Sequence, residues 1–258
     1  MKLALALAAS LAFAAPPLLA QDADRTEAFA DLPYWPGYWV SAEQVGTTIG
    51  GIAPAVIAAR ENGETISGFM VLNGASAPWN EEGKRRWAEA RARSPGRKAN
   101  GWGFPMMMNS STPVEYLITP EKVLIINAYN EARHIYMRDE PFDEMDLWPT
   151  VLGTSIGHWE GQTLVITTTM VKTPNDYFHG APVFSEDAVY TERIHREGDR
   201  LINQVTVVDP QTMTGPFVAE VASVRDEGFD RMVQIDWDND RTGVDADGVN
   251  TIENEVVQ

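Results

Sequence analysis

The sequence predicts a mainly β protein, in which an antiparallel meander closes into a barrel or a two-sheet sandwich and one helix lies near residues 78–93. Three observations predict this fold class. Strand-length runs rich in β-branched residues follow one another from Thr112 onward. Short turn sequences such as Glu160-Gly161-Gln162 separate them, and such connections join antiparallel neighbours, because a parallel crossover requires about a dozen residues or more. No repeat of fixed period recurs, which argues against a propeller.

The beginning of the chain predicts export. Lys2 is followed by an apolar run from Leu3 to Ala15 and then by a short segment that ends in the small residue Ala20 before Gln21, which is the pattern of a secretory signal peptide. Two prolines break the run, which is shorter than the roughly 20 apolar residues of a membrane-spanning helix. We therefore expect a signal peptide over residues 1–20, a periplasmic or secreted location, and no membrane insertion after cleavage. Residues 21–258 are predicted to form a single β domain.

The charge and composition of the chain exclude several classes of partner. Lys and Arg number 20 and Asp and Glu number 37, which gives a formal net charge of -17. Nucleic-acid phosphates require a basic surface, so we expect no nucleic-acid partner. The same charge disfavours an anionic membrane surface. The absence of cysteine excludes disulfides, a thiol nucleophile and thiolate metal ligands. The sequence leaves the oligomeric state open.

The part of the chain before Thr112 contains one clear helix. Aromatic residues and prolines over Pro33–Val40 predict a short strand that a rigid loop precedes. Residues 46–59 mix Gly, Thr, Ile and Ala, which leaves strand and helix open. From Pro78 to Arg93 the abundance of Ala, Glu, Arg and Trp predicts the helix, and Ser94-Pro95-Gly96 ends it. We expect its basic side chains to face solvent or the acidic body of the protein.

The part of the chain after Thr112 is expected to supply the strands of a lipocalin-like barrel or sandwich. The acidic tail from Asp236 to Gly248 is similar to a calcium loop, but Arg241 stands where such a loop requires Gly, which favours a solvated turn. The predicted strands are Val114–Ile118, Val123–Ala128, Arg133–Met137, Thr163–Met170, Ala188–Ile194, Leu201–Val208, Phe217–Val224 and Arg231–Trp237.

One patch of sequence carries a family resemblance. Residues 153–165 follow the pattern G-x-S-x-G-x-W-E-G-x-T-L-V. Taken with Ile118-Thr-Pro120, Arg133-His-Ile-Tyr136, Glu192-Arg193 and Asp209-Pro210, this patch resembles a largely uncharacterised family of exported bacterial β proteins. The resemblance covers roughly residues 100–220 and implies export and a β fold. Members often carry a cysteine before a G-x-P sequence, whereas this chain has Gly-Phe-Pro and no cysteine, so any role of that cysteine is not required here.

His158 and Glu160 are the first candidates for chemistry in this patch. They are two residues apart, so on a strand their side chains share a face. Such a pair could act as proton donor and acceptor or supply two metal ligands. Against this, Trp159-Glu160-Gly161-Gln162 is typical of a tight hairpin turn with Gly at positive φ, in which Glu160 makes local hydrogen bonds. We favour the turn for Glu160 and keep His158 as a catalytic candidate, because histidine is readily poised near neutral pH.

Ser155 is a further candidate, because Gly153-Thr-Ser155-Ile-Gly157 spells the G-x-S-x-G motif of serine hydrolases. That motif positions its serine only on a strand-turn-helix elbow. The residues that follow predict another strand and not a helix. We therefore reject Ser155 as a hydrolase nucleophile.

Arg133 is the candidate for charge stabilisation. Alternation along the strand places Arg133 on the face of Ile135 and opposite Tyr136. On this apolar face a guanidinium requires a carboxylate partner or an anionic ligand, and Glu192 is a plausible partner. Two interpretations stay open, a structural Arg-Glu pair inside the barrel and a cavity floor that fixes a ligand carboxylate or enolate oxygen.

The loop from Thr173 to Gly180 brings together Asp176, Tyr177 and His179. Loops above a rigid barrel are common positions for sites, so these three side chains could form a general acid/base set with His158. A surface loop with an incidental histidine is the alternative.

Apolar contacts complete the predicted site. The three methionines at 106–108, next to Trp102 and Phe104, are typical of an adaptable pocket and equally of ordinary core filling. Met107 and Trp159 are therefore included with Arg133, Tyr136 and Glu192 as predicted substrate-binding residues. No metal and no cofactor is predicted.

Two functions follow from these candidates. The leading hypothesis is an exported enzyme of the lyase or hydrolase type that acts on a small apolar or glycosidic molecule in a β cavity. It would transfer protons through His158, His179 or Tyr177, with Arg133 stabilising charge. A nucleotide cofactor is not expected, because no Gly-rich phosphate loop is present. The alternative is a non-catalytic periplasmic carrier of a small apolar ligand.

Overall fold

The computed structural model describes residues 27–42, 62, 66–67, 70–92, 101–109, 112–175, 177–178, 180–228, 231–232, 242–244 and 250–252. It divides into two compact units, residues 1–32 and residues 33–258. In the first unit, residues 27–30 form one turn of helix. The predicted signal peptide, the ambiguous stretch 46–59, the acidic tail apart from residues 242–244, and residues 233–237 of the last predicted strand lie outside the described residues.

Most of the regular elements described in the second unit are strands. This unit contains one described α-helix, α1 (Glu81–Ala92), and short 3-10 turns at Val71–Asn73, Met106–Met108 and Glu144–Asp146. The strands are β1 (Tyr38–Ser41), β2 (Ile66–Ser67), β3 (Val114–Ile118), β4 (Lys122–Asn127), β5 (Ala132–Met137), β6 (Thr154–Glu160), β7 (Thr163–Thr169), β8 (Val189–Glu197), β9 (Arg200–Val208), β10 (Phe217–Arg225), β11 (Thr242–Val244) and β12 (Asn250–Ile252).

Nine of these strands form a closed barrel. Their order is β1 followed by β3 to β10 in sequence, and β10 pairs again with β1. Trp39 of β1 lies at the closure, opposite Val114 of β3 on one side and Arg225 of β10 on the other. The prediction of a mainly β protein with a barrel is therefore confirmed. The described strands do not form the alternative, a two-sheet sandwich. Strand β2 lies parallel to β10, and β11 pairs with β12 in a separate hairpin.

One pair of strands corrects the prediction of an all-antiparallel meander. Strands β5 and β6 run parallel, with Ile135 opposite Ser155, and residues 138–153 connect them. The predicted runs include no strand between Met137 and Thr163, and β6 lies there. Strand β6 contains Gly, His and Glu, so it lacks the run of β-branched residues from which the other strands were predicted. The other neighbouring pairs of barrel strands are antiparallel.

Two hairpins follow the turn chemistry of the sequence. Gly161-Gln162 joins β6 to β7, and Gly198-Asp199 joins β8 to β9. Both glycines have a φ of 61°, which glycine adopts without strain at the first central position of such a turn. The predicted turn at Trp159–Gln162 is confirmed. We call the end of the barrel with these turns the hairpin end.

The opposite end of the barrel, the loop end, carries the connections 170–188 and 209–216. Segments 70–80 and 101–109 also pack there, because Leu72, Phe104, Met106 and Met107 are almost completely buried in the core. Inward-facing side chains such as Ile135, Ile166 and Val205 fill the barrel between the two ends. The alternation of buried and exposed residues along β4, β5 and β8 matches the period of two expected for a barrel wall.

Helix α1 confirms the predicted helix but begins later than Pro78. The side chain of Asn80 accepts a hydrogen bond from Gly83 N at 3.0 Å and thereby caps the helix. Pro78 and Trp79 instead extend beside the β9–β10 connection, where Pro78 O accepts from Thr214 N at 2.9 Å and Trp79 forms a bridge with Met213. In the described ranges, no helix combines the length and apolar character required to cross a membrane.

Candidate functional site

A polar belt crosses the interior of the barrel. It consists of one inward-facing side chain from each of the strands β5 to β9, namely Arg133, Ser155, Thr168, Glu192 and Asn203. Arg133 Nη2 donates to Glu192 Oε2 and, at 2.8 Å, to Thr168 Oγ1, while its Nε donates to Ser155 Oγ at 3.2 Å. Asn203 Nδ2 donates to Glu192 Oε1 at 2.8 Å. Hydrogen bonds therefore link five neighbouring strands through their side chains.

The ion pair at the centre of the belt is sealed from solvent. Arg133 is 1% exposed and Glu192 is 0% exposed. The guanidinium carbon of Arg133 lies 4.1 Å from the centre of the Phe104 ring, which adds a cation–π contact. The predicted Arg133–Glu192 pair is thus confirmed, and removing either partner would leave an uncompensated charge in the core.

Three buried polar atoms in the barrel lack a hydrogen bond within the described part of the chain. They are Arg133 Nη1, Asn203 Oδ1 and Trp159 Nε1. Two are donors and one is an acceptor. Because nearly all buried polar atoms in proteins are satisfied, each of these atoms is a candidate contact for a bound group.

Three aromatic rings pack against one another in the barrel core. Trp35 contacts Tyr116 and Trp159 edge-to-face, with ring centres 5.4 and 5.7 Å apart. Burial raises the pKa of Tyr116; the Glu192 carboxylate raises it further and Arg133 opposes the shift. We name these three rings the aromatic cluster. Trp159, a predicted substrate-binding residue, is therefore inside the barrel and only partly buried.

His158 and Glu160 lie on the outer wall of the barrel. Their side chains are 51% and 49% exposed, and His158 Nε2 is 3.4 Å from Glu160 Oε1. Arg193 Nη2 donates to Glu160 Oε2 at 2.7 Å, and the pKa of Glu160 is lowered by Arg193 first and by His158 second. The two residues share a face as predicted. That face is opposite to Arg133, so the expected combination of His158 and Arg133 in one site does not form.

Tyr136 also faces outward. It is 41% exposed and packs against His134 and Phe142. The strand alternation predicted this separation of Tyr136 from Arg133, so the two residues cannot contact the same interior ligand. Met107 is 0% exposed and packs in the core, so it fills the loop end and does not line an open pocket.

Ser155 lies within strand β6 and bonds to two members of the belt. Its Oγ is 2.9 Å from Thr168 Oγ1 and accepts from Arg133 Nε. It stands on no strand-turn-helix elbow, because another strand follows β6. The prediction that this G-x-S-x-G sequence forms no nucleophile elbow is confirmed.

The 173–180 loop packs at the loop end. Asp176 and His179 lie outside the described residues. Tyr177 N donates to Asn175 Oδ1 at 2.7 Å, and Asn175 Nδ2 donates to Trp102 O at 2.9 Å. These bonds attach the loop to segment 101–109, beside Gly101.

Two buried carboxylates that the sequence did not single out as functional hold the loop end together. Glu131 Oε1 accepts from Trp102 N at 2.9 Å and from Gly103 N at 2.6 Å. Asp209 accepts from Ser185 N at 2.6 Å and from Ser185 Oγ at 2.7 Å. Asp209 also accepts from Gln211 N two residues on, at 3.2 Å. This local Asx geometry is the signal in Asp209-Pro210 that could have predicted its role.

A polar cleft opens at the loop end beside α1. It has a volume of about 530 Å³, which falls within the roughly 300–1,000 Å³ of small-molecule sites. We call it the α1 cleft. Its lining comes from α1, the β7–β8 loop and the β9–β10 connection: Arg85, Arg86, Glu89, Thr173, Pro174, Val183, Ser185, Glu186, Asp187 and Gln211.

The α1 cleft presents both donors and acceptors. Arg86 donates through Nε to Glu82 at 2.7 Å, which leaves its two terminal nitrogens without a hydrogen bond to the described residues. Glu186 Oε1 accepts from Thr173 N at 3.3 Å, and Asp187 Oδ2 accepts from the Gln211 side chain. The second oxygen of each carboxylate accepts none within the described ranges.

Among the described residues, no group of three or more His, Asp or Glu side chains is arranged to hold a metal ion. Comparison of the chain with models of protein families, with curated proteins and with solved structures finds no match.

Proposed function

We propose that this protein is an exported enzyme of the lyase or hydrolase type that acts on a small glycosidic molecule bound in the α1 cleft. The observation that carries the proposal is the cleft itself, a concave polar site of about 530 Å³ at the loop end of a rigid barrel. Sites for small molecules typically combine such a cavity with a few convergent polar groups. Loops above a rigid scaffold are their usual position.

The lining of the cleft favours a hydroxylated substrate over an apolar one. The terminal nitrogens of Arg86 are donors, and the second oxygens of Glu186 and Asp187 are acceptors. Sugar hydroxyls both donate and accept, so they match this combination, whereas an apolar ligand would leave these groups desolvated and unpaired.

Two of the acid and base groups proposed for the reaction line this cleft, and the others follow its lining residues in the sequence. Glu186 and Asp187 are in its wall, and Thr173-Pro174, which also line it, begin the loop that carries Tyr177 and His179. We propose proton transfer by one carboxylate together with His179 or Tyr177. His158 has no part in this version of the site, because it lies on the outer wall of the barrel.

Turnover of a panel of small glycosides tests the proposal. The protein is incubated with 4-nitrophenyl glycosides and with unmodified disaccharides, and products are identified by mass spectrometry and NMR, since hydrolysis adds water and elimination leaves an unsaturated sugar. Glu186→Gln or Asp187→Asn is expected to lower kcat by about 10²-fold or more if the carboxylate transfers a proton.

Glu220→Gln is the matched control, because Glu220 is on β10, away from the cleft lining, and among the described residues its side chain bonds only to Gln204, at 3.2 Å. It is expected to retain the wild-type rate. Absence of turnover for every substrate in the panel, or full activity in both cleft variants, would overturn the proposal.

A second candidate function, a non-catalytic carrier of a small apolar ligand, is supported by the aromatic cluster. Trp35, Tyr116 and Trp159 bring three apolar ring surfaces together inside the barrel, and Trp159 is only partly buried. Native mass spectrometry of the protein purified from its own periplasm tests the carrier function. A co-purifying organic molecule that is recovered unchanged supports a carrier, and a mass equal to that of the polypeptide alone contradicts a tight-binding one.

A further inference from the structure

The side of the α1 cleft that the helix forms is electrically balanced. Arg85 forms ion pairs with Glu82, at 2.7 Å, and with Glu89. Arg86 forms an ion pair with Glu82, also at 2.7 Å. The two guanidinium groups and the two carboxylates cancel one another in charge. The helix side therefore offers hydrogen-bond donors, the terminal nitrogens of Arg86, without an excess of positive charge.

The side of the cleft that the β7–β8 loop forms carries an excess of negative charge. Glu186 and Asp187 are adjacent in this loop and both line the cleft. Their partners are neutral, because Glu186 accepts from Thr173 N at 3.3 Å and Asp187 accepts from the Gln211 side chain. No Lys, Arg or His among the described residues forms an ion pair with either carboxylate. Two negative charges of the cleft lining therefore stay unbalanced by described residues.

Ser185 adds a buried acceptor to the same side. It is 3% exposed and lines the cleft. Its Oγ donates its proton to Asp209 Oδ1 at 2.7 Å, and within the described ranges this oxygen accepts no hydrogen bond. Ser185 Oγ is therefore held as an acceptor, and the buried Asp209 carboxylate behind it adds negative potential. We call Ser185, Glu186 and Asp187 the β7–β8 wall.

We propose that the α1 cleft selects glycosides that carry a protonated amino group, and that the β7–β8 wall binds this ammonium. An ammonium has three N–H donors and no acceptor. The open positions of the wall are acceptors, namely the second oxygens of Glu186 and Asp187 and the Oγ of Ser185. The charge of the ammonium offsets that of the carboxylates, so its hydrogen bonds are charge-assisted. This inference rests on the proposed enzyme function and names its substrate class.

Other substituents of a sugar fit the β7–β8 wall less well. A hydroxyl in the same position donates one hydrogen bond and leaves the excess negative charge unbalanced. A carboxylate has no donor and is repelled by Glu186 and Asp187. The donors of Arg86 remain for the sugar hydroxyls, so an amino sugar uses both sides of the cleft.

Binding of matched methyl glucosides tests the selection. Three probes carry an amino group in place of the hydroxyl at carbon 2, 3 or 6, methyl glucoside is the neutral reference, and methyl glucuronide is the anionic one. Dissociation constants are measured by isothermal titration calorimetry with the full chain at pH 6, where the amines are protonated. We expect at least one amino glucoside to bind about tenfold more tightly than methyl glucoside, because a charge-assisted hydrogen bond contributes more than a neutral one. Methyl glucuronide is expected to bind most weakly, and added salt is expected to reduce the differences.

Two double variants locate the binding. Glu186→Gln/Asp187→Asn removes both charges and keeps the shapes of the side chains, so its amino glucoside affinity is expected to fall to that of methyl glucoside. Asp139→Asn/Glu140→Gln is the matched control, because these adjacent carboxylates are exposed and lie outside the cleft lining. It changes the net charge of the protein by the same amount and is expected to keep the wild-type preference. Circular dichroism checks that both variants retain the native strand content.

Binding and turnover are measured separately, so the inference and the proposed function can fail separately. Tight binding of an amino glucoside that the protein does not convert overturns the enzyme proposal and supports the selection. Equal affinity for methyl glucoside and every amino glucoside, together with turnover of neutral glycosides, overturns the selection and leaves the enzyme proposal in place. A preference that persists in Glu186→Gln/Asp187→Asn, or that is lost in both double variants, also overturns the selection by this wall. If no probe binds, the selection fails as well.

Discussion

Arg133 and Glu192 form a buried ion pair in the interior of the barrel. Their pair joins β5 to β8 across two intervening strands, and Ser155 and Thr168 bridge the space between them. A buried ion pair is not automatically a source of stability, because both ions lose their hydration on folding. The pair does require that both charges be present or both be absent, because either charge alone would be unpaired in the core.

Single and double substitutions of this pair are expected to change the free energy of unfolding by different amounts. Arg133→Met leaves Glu192 charged and unpaired in the core, which we expect to lower the free energy of unfolding by about 3–5 kcal/mol. The double variant Arg133→Met/Glu192→Met is expected to change it far less. Urea unfolding followed by circular dichroism measures both.

The exposed pair of Arg193 and Glu160, 44% and 49% exposed, supplies the control. Arg193→Met is expected to leave the unfolding midpoint unchanged, because solvent already screens that pair. A double variant as unstable as Arg133→Met would contradict this account of the interior pair.

At the level of single residues, the sequence predicted the face of Arg133 and its partner Glu192. Both follow from alternation along strands that were correctly placed. The remaining belt members, Ser155, Thr168 and Asn203, were not predicted to join them. Their contacts depend on the register of β6, β7 and β9, and register is a property of strand pairs that one strand's composition does not encode.

At the scale of elements, the β6–β7 hairpin shows how two glycines of the same segment serve different purposes. Gly161 turns the chain at a φ of 61°, and a Cβ built there has no neighbour within 4 Å. Gly157 lies inside β6, where a Cβ would be 2.8 Å from Ile135 Cγ2 and 3.1 Å from Val165 O. The first glycine is required for its backbone angle, and the second for its lack of a side chain.

Substitution at these two positions is expected to separate the two effects. Gly161→Ala is expected to lower the free energy of unfolding by about 1 kcal/mol through its positive φ, and Gly161→Asn by less, because asparagine tolerates that region. Gly157→Ala is expected to lower it by about 1–3 kcal/mol through overpacking. Thermal and urea unfolding measure the changes; equal stability of Gly161→Ala and Gly161→Asn would contradict the role given to φ.

Helix α1 was predicted from the sequence and strand β6 was not. The predicted helix exists, and its start shifts from Pro78 to Glu81 because Asn80 caps it while Pro78 bonds to the β9–β10 connection. Strand β6 was not predicted as a strand, because its residues also fit a functional motif and a turn. The Asn80 cap is a local signal that the sequence contains, whereas the bond of Pro78 to the β9–β10 connection and the parallel pairing of β6 depend on residues distant in the sequence.

At the scale of the whole molecule, the barrel buries two tyrosines that we expect to limit its stability at alkaline pH. Burial raises the pKa of Tyr116 and of Tyr190 above the ordinary 10.0, with Glu192 and Asp209 adding to the respective shifts. In the unfolded chain both hydroxyls lose their protons near pH 10, whereas in the folded protein they keep them. Their contribution to stability is therefore complete below pH 10 and is lost as the pH rises above it.

Urea unfolding at a series of pH values from 9 to 11.5 tests this limit. The wild type is expected to lose stability progressively above pH 10, and the double variant Tyr116→Phe/Tyr190→Phe is expected to show a shallower decline, because its rings have no proton to lose. An identical pH profile in the two proteins would show that other groups cause the decline.

The parallel pair β5–β6 is connected with the odd number of strands in the barrel. Around a closed ring in which every strand reverses the direction of the one before, the direction returns to its starting value only for an even number of strands. Nine is odd, so one neighbouring pair has to run in the same direction, and residues 138–153 make that pair β5 and β6 by returning the chain to the loop end. If a hairpin-length turn replaced this connection, β6 and every later barrel strand would be inverted. Strand β10 would then meet β1 in parallel, and the antiparallel closure at Trp39 would be lost.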